Sequence, residues 1–276
     1  MDTNSFVLTL LNLKGWGPTK VYNYINKYSF DYEKCRLALA EELTDKEKER
    51  FKNELLKSKN KIQNNLKLGV KCCNIFDSFF PKKLYDLDQK CIFLFYKGNI
   101  ELLNKKSITI IGSRNLTEAF VEKGKMAVEY FSKKGYVIVS GLALGCDSLA
   151  HKVCLESKGM TIAVLPTSCD KIMPTSNKTL ANNIVNNNGL LISEYGTDDP
   201  FNKYNFAERD RIQSLLSNTI LIIEAQDSSG TMIATRKHIA NNKHVFALEG
   251  NKLLLVKNYI DTQNINDLKF VEDSIQ

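Results

Sequence analysis

The chain has 276 residues, 43% of them apolar, and a formal net charge of +7. That is enough for one large core with a small appended domain, and no run of about eighteen apolar residues marks a membrane span. The N-terminus, MDTNSFVLTLLNLKGWG, has no basic segment ahead of its apolar stretch, so no signal peptide is expected and the cytoplasm is the default location.

The seven cysteines are odd in number, lie mostly inside apolar runs and form no C-x-x-C pair. Cys72, Cys73, Cys91, Cys146, Cys154 and Cys169 are therefore expected as small core residues, neither disulfide-bonded nor zinc-bound. His151, His238 and His244 lack metal-ligand spacing, so no metal is expected. The basic excess, much of it Lys, reads either as a solvated surface or as attraction to a polyanion.

In chain order, Leu10 to Ile25 reads LLNLKGWGPTKVYNYI, an apolar helical pattern interrupted at Gly15-Trp16-Gly17-Pro18. Pro18 suits the first turn of a new helix. The pattern resembles a helix-hairpin-helix, in which Gly15 and Gly17 would offer backbone N–H groups to a DNA phosphate flanked by Lys14 and Lys20. The alternative is a bend packed on its own small core. Residues 32 to 68 read as charged helix, with Phe51, Leu55, Leu56 and Ile62 available for burial and a capping box from Thr44 to Glu47. Residues 1–68 are expected to form a small all-α domain.

Texture changes at Gly69. VKCCNI and CIFLFYKG read as short strands around the turn DSFFPKKLYDL. From Ser107, strands SITII, YVIVS, MTIAVL, GLLIS, NTILIIEA and KHVFAL alternate with helices starting near Thr117, Asp147, Ser176, Ala207 and Gly230. The first of these helices spaces Phe120, Met126, Ala127, Tyr130 and Phe131 for one face. Near-continuous apolar strands imply a sheet buried on both faces, and their alternation with helices predicts an α/β, doubly wound, mostly parallel sheet over residues 69–250. Residues 251–276 form a tail that periodicity does not assign, with no winged helix.

Four strand-end loops are rich in small residues: Gly112-Ser113-Arg114, Ser140 to Gly145, Ser193 to Gly196, and Ser228-Ser229-Gly230-Thr231. Ligands of open α/β sheets bind beyond the carboxyl ends of the strands, where small residues let backbone N–H groups approach an anion. Neither G-x-G-x-x-G nor a P-loop is present, so no dinucleotide or nucleoside-triphosphate cofactor is expected. The segment NKYNFAERDR, Asn202 to Arg211, interleaves Lys203, Arg209 and Arg211 with Tyr204 and Phe206. Charge for a backbone and rings for bases is what a single strand needs. In the opposing reading Phe206 is core and Arg209 pairs with Glu208 or Asp210. His151 follows Asp147 by one helical turn, either as a general base pair or with Asp147 fixing a helix start.

The ordered motifs D-x-F-F-P-x-x-L (Asp77 to Leu84), F-Y-K-G (Phe95 to Gly98), I-I-G-S-R (Ile110 to Arg114), V-S-G-L-A-x-G-C-D-x-x-A-H (Val139 to His151), T-I-A-V-L (Thr161 to Leu165), L-I-S-E-Y (Leu191 to Tyr195), K-x-x-F-x-x-R-x-R-I (Lys203 to Ile212) and S-G-T-x-I-A (Ser229 to Ala234) resemble the DNA-processing protein A family, DprA or Smf. The resemblance spans about Gly69 to Gly250. It implies an extended Rossmann domain that binds single-stranded DNA, forms a homodimer and helps load the RecA recombinase on incoming DNA during natural transformation. It places Gly112, Ser113 and Arg114 in a phosphate pocket, with Ser140, Gly141, Ser229, Gly230 and Thr231 on the same sheet edge. Lys203 and Phe206 match a cation and a stacking ring, and Arg209 and Arg211 the arginines beside them. The chain departs from the pattern at Asp210, usually Asn, at Pro166 to Asp170, and at Glu249-Gly250. No catalytic residue is implied. Alternatives are a nucleotide sensor, a relative of nucleotide phosphoribohydrolases, and a component of a defence or mobile-element system. Gly230-Thr231 is followed by no nearby carboxylate, which argues against hydrolysis.

Overall fold

The computed structural model describes residues 1–85 and 90–275; Asp86 and Leu87, at the end of the expected DSFFPKKLYDL turn, lie outside them. Four helices come first: α1 (Thr3–Asn12), α2 (Pro18–Lys27), α3 (Tyr32–Glu42) and α4 (Asp45–Lys67). Asp2 and Thr44 cap α1 and α4, the latter through a full capping box with Glu47. A β-sheet follows: β1 (Lys71–Asn74), β2 (Phe93–Gly98), β3 (Ser107–Ile111), β4 (Val137–Ser140), β5 (Thr161–Val164), β6 (Leu190–Ser193), β7 (Thr219–Ile222), β8 (His244–Leu248) and β9 (Asn258–Ile260). Its order is β1-β2-β6-β5-β4-β3-β7-β8-β9. The first two pairings are antiparallel and the rest parallel. This is the expected α/β fold.

Helices α5 (Glu118–Lys133), α6 (Cys146–Glu156) and α7 (Lys178–Asn186) connect β3 through β6. Helix α8 (Tyr204–Leu216) carries the chain from β6 back across the sheet to β7, and α9 (Thr231–Ala240) leads on to β8. The chain therefore winds outward from β3 in one direction, then from β7 in the other. The crevice between these two strands is the topological switch point. Strands β3 to β7 are buried along their whole lengths, as a doubly covered sheet requires. The two faces are covered separately: Ile108 and Ile110 of β3 pack with Ala127 and Phe131 of α5, whereas Thr109 donates its hydroxyl to the Gln213 carbonyl of α8. In α5 the buried face includes Gly124 and Val128 as well as Ala127 and Phe131. Met126, expected on it, is 41% exposed because its position falls off the side turned to the sheet.

Two features go beyond the periodicity. Residues after Gly250 are part of the sheet: β9 pairs in parallel with β8, and helix α10 (Ile265–Asp273) buries Leu268 and Val271 in the same core as Phe131. The N-terminal helices share one continuous apolar core with the β1–β2 edge, joining Phe6, Val7, Leu10 and Ile25 to Cys73, Phe93 and Phe95. Helix α4 is also tied to the loop after β6. Lys61 pairs with Asp199, and Asn65 accepts from the Thr197 backbone N–H at 3.0 Å. All seven thiols are free, and all but Cys72 are fully buried. Among the described residues no helix is long and apolar enough to cross a membrane.

Candidate nucleic-acid interface

A cleft of about 380 Å³ opens at the switch point. Three elements build it: the end of β3 with Gly112, Ser113 and Arg114; the start of α9 with Ser229, Gly230 and Thr231; and one face of α8. On α8 the cleft takes Phe206, Arg209, Asp210 and Gln213, with Lys203 just ahead. These positions are spaced i, i+3, i+4 and i+7, so a helix places them on one stripe.

The loop after β3 is held by backbone. Ser113 N–H donates to the Glu224 carbonyl at 2.6 Å, and Cys146 N–H donates to the Ser113 carbonyl at 3.0 Å. Ser113 Oγ closes a local turn with Asn115. Thr231 Oγ1 donates to the Gly112 carbonyl at 3.1 Å, joining the β3 and α9 walls. The α9 N-terminus has no side-chain cap; the Met232 and Ile233 N–H groups donate to the Ser229 and Gly230 carbonyls, and the helix dipole gives this end of the cleft a positive potential.

Arg114 and Lys203 are exposed, and neither has a carboxylate partner among the described residues. The Arg114 guanidinium sits 5.5 Å from the Phe206 ring centroid. The Phe206 ring in turn meets Phe201 edge-on at 5.6 Å. Phe206 is half-buried, and Tyr204 and Phe201 beside it are 80% and 44% exposed. Two buried polar atoms of cleft-lining residues, Gln213 Nε2 and Ser229 Oγ, have no hydrogen-bond partner among the described residues.

Arg209 and Arg211 are not free cations. Arg209 is 6% exposed. It donates to the Gly141 carbonyl and, at 3.3 Å, to the Val164 carbonyl. Its charge is met by Asp210 at 2.9 Å and Asp147 at 3.8 Å. Gly141 makes room for it, since a Cβ there would overlap the guanidinium. Burial raises the carboxyls of Asp147 and Asp210 above the usual range, against the opposing pull of Arg209. Asp210 thus neutralises Arg209, as one of the sequence-level alternatives foresaw. Arg211, expected at the same surface, points away from the cleft into an ion pair with Glu194 and, at 3.2 Å, Glu208. Residues 209 and 211 fall 200° apart on a helix, so they cannot share a face.

Of the other expected positions, Ser140 lies beneath the cleft, fully buried, with its hydroxyl on the Ile110 carbonyl. Gly141 lines an adjoining cavity. The loop Ser193 to Gly196 stays out of the cleft: Ser193 Oγ donates to the Leu165 carbonyl, and Glu194 serves Arg211. Asp147 accepts from Ala143 N–H at 3.2 Å and so holds the start of α6. His151 is fully buried with Nδ1 2.7 Å from Thr161 Oγ1, and burial pushes its pKa down to about 3. Asp147 and His151 make no base pair. Gln213 was not foreseen, although its i+7 spacing from Phe206 is the signal that would have found it. Lys14, Gly15, Gly17 and Lys20 lie in the α1–α2 hairpin, outside the cleft. Gly15 adopts φ +83°, Gly17 precedes α2 with Pro18 at its first turn, and Lys20 Nζ stacks 4.6 Å from the Trp16 ring centroid.

The pattern defining the DNA recombination-mediator protein A family matches residues 71–258. The DNA processing protein DprA of Streptococcus pneumoniae is 33% identical over 180 residues, 65% of this chain and 63% of the relative. Protein Smf of Escherichia coli is 34% identical over 62% of this chain and 46% of its own length. The DNA processing protein DprA of Bacillus subtilis is 34% identical over 63% and 57%. The chain thus spans roughly half to three-fifths of the curated relatives it matches. Among solved structures, the Streptococcus pneumoniae DNA processing protein A superposes with a TM-score of 0.72 at 25% identity, over 93% of this chain and 96% of that one. The DNA processing protein A of Helicobacter pylori, solved for its single-stranded DNA binding mode, superposes with a TM-score of 0.64 at 28% identity, over 74% and 97%. A match across most of the sheet, including every strand and helix end that lines the cleft, puts this chain in the DNA recombination-mediator protein A family.

Proposed function

We propose that the cleft binds single-stranded DNA, and that the protein presents the strand to the RecA recombinase in the cytoplasm, as a homodimer and without chemistry on the nucleic acid. The observation that carries this reading is Arg114 stacked on Phe206 beside the unpaired Lys203. A cation for the phosphate and a ring for the base, side by side, are the two parts of sequence-tolerant strand recognition. The uncapped α9 start, Gly230-Thr231, supplies backbone donors for a phosphate, with Gly112 opposite and the Ser113 N–H already held by the Glu224 carbonyl; Gln213 and Ser229 line the same cleft. The Helicobacter pylori relative, studied for its single-stranded DNA binding mode, supports the same ligand class. The α1–α2 hairpin, through Lys14, Gly15, Gly17 and Lys20, acts as an auxiliary contact. A non-catalytic role is supported by the carboxylates in the cleft, Asp147 and Asp210, both committed to Arg209.

The test is a side-by-side titration of single-stranded DNA, duplex DNA and nucleoside monophosphates, with chromatography for released base. Single strands should bind tighter than duplex, with affinity falling steeply as salt rises because phosphate contacts release counterions. Equal duplex affinity, a flat salt response, or steady release of free base would each overturn the reading.

A further inference from the structure

The Arg114 side chain borders three cavities, not one. Besides the cleft, it lines a space of about 180 Å³ with Gly141, Leu144 and Met173. It also lines an open groove of about 670 Å³ floored by the N-terminal half of α6. The first of these shares Phe206 and Arg209 with the cleft and Leu144 with the groove. The three form one path that turns around Arg114 and passes over Leu144.

The charge along this path is uneven. In the cleft, two carboxylates accompany the cations. The groove is lined by Arg114 and Lys152 and, among the described residues, by no carboxylate. Lys152 is exposed and has no acidic partner among the described residues. Its neighbours Ser148 and Asn177 are buried and already oriented: Asn177 Nδ2 donates to Ser148 Oγ and to the Leu142 carbonyl, both at 2.8 Å.

The rim between cleft and groove is conformationally special. Leu142 has φ +58°, a left-handed value that a branched side chain rarely adopts, and Gly145 has φ +71°. Asn177 binding the Leu142 carbonyl and Asp147 binding Ala143 N–H hold this turn. The result is Leu144 standing 47% exposed on the rim. A Cβ on residue 145 would overlap the Ser113 and Arg114 carbonyls, so the rim is packed directly against the Arg114 backbone. Over-determined unusual backbone of this kind concentrates at ligand sites.

We propose that the groove is a second subsite for the same single strand: the strand leaves the cleft over Leu144, which contacts a base or sugar face, and Lys152 holds a further phosphate. This rests on the cleft reading above. In it, Arg114 is the pivot between two phosphate positions.

The test measures binding of the full chain to oligothymidylates from about 3 to about 20 nucleotides by fluorescence anisotropy. Lys152→Glu and Leu144→Asp should bind the shortest oligomers like the unsubstituted protein and the long ones about five- to tenfold more weakly. For Lys152→Ala the salt slope on long oligomers should fall by about 0.7, one single-strand phosphate contact. Lys152→Arg should restore affinity. Unchanged binding of Lys152→Glu at every length, with the unsubstituted protein binding normally, overturns the groove and leaves the cleft standing. An equal loss at every length also overturns it, because Lys152 would then act on the cleft itself. If the unsubstituted protein binds no length, the cleft reading fails and the groove falls with it.

Discussion

The Arg114 guanidinium rests 5.5 Å from the centre of the Phe206 ring, joining the end of the first parallel strand to the face of α8. In the proposed strand-binding role the two side chains respond differently to substitution. Arg114→Ala should weaken all sequences alike and lower the salt slope by roughly one contact. Phe206→Ala should lose about 1–3 kcal/mol of binding with little change in slope. Thermal unfolding decides the competing role of Phe206, since truncating a core ring costs about 3–5 kcal/mol of stability. A destabilised Phe206→Ala protein that binds normally when folded would refute stacking.

Arg209 behaves oppositely. Its guanidinium balances Asp147 and Asp210 inside the protein, and removing one partner of a buried pair is far costlier than losing a surface bridge. Arg209→Gln should lose about 3–5 kcal/mol in denaturant unfolding. Gly141→Ala, which forces a Cβ into the guanidinium, should follow it. Strand affinity of the folded fraction should fall less than for Arg114→Ala. A stable Arg209→Gln protein with lost DNA binding would make Arg209 a direct contact instead.

A fragment beginning at residue 69 should be poorly stable. Removing α1 to α4 strips Phe6, Val7 and Leu10 from the core they share with β1 and β2, exposing an apolar face. It also deletes the Lys61 and Asn65 contacts to the 197–199 loop. The fragment's melting temperature and its solubility check this. A fragment as stable as the full chain would show that the shared core contributes little.

Stability should fall on mild acidification. Burial pushes the pKa of both His151 and His238 down to about 3, against about 6.5 in an unfolded chain. Below 6.5 the unfolded state takes up protons that the folded state refuses, so the stabilisation present above 6.5 is lost as pH drops toward 3. The slope approaches about 1.4 kcal/mol per pH unit for each histidine. Urea titrations at pH 7, 6 and 5 measure it, and His238→Asn, where it folds, should remove about half. The raised carboxyls of Asp147, Glu194 and Asp210 act in the opposite sense, so the deciding outcome is the difference between the two proteins: equal pH slopes for His238→Asn and the unsubstituted chain would contradict a neutral buried imidazole.

The alternation of apolar strands and amphipathic helices was legible in the sequence because its cause is local. A strand buried on both faces must be apolar throughout, and β3 to β8 lie where that pattern put them. The Gly- and Ser-rich strand ends were legible for the same reason: close backbone approach needs small residues. The segment after Gly250 was not, since three residues of β9 carry no period of their own and are a strand only because β8 offers a free edge. The core that the N-terminal helices share with β1 and β2 was not legible either, because it depends on contacts across long chain separations.

Within the site, chain order alone determined that a cation and a ring would stand at Arg114 and Phe206, and that small residues would surround them. Only the tertiary structure decided which of these arginines are matched by carboxylates. Arg114, Arg209 and Arg211 are chemically alike in the sequence. Folding leaves the first at the rim, where its charge stays hydrated and available. It carries the other two into low dielectric, where a guanidinium must be matched by carboxylates, and Asp147, Asp210 and Glu194 are there to match them.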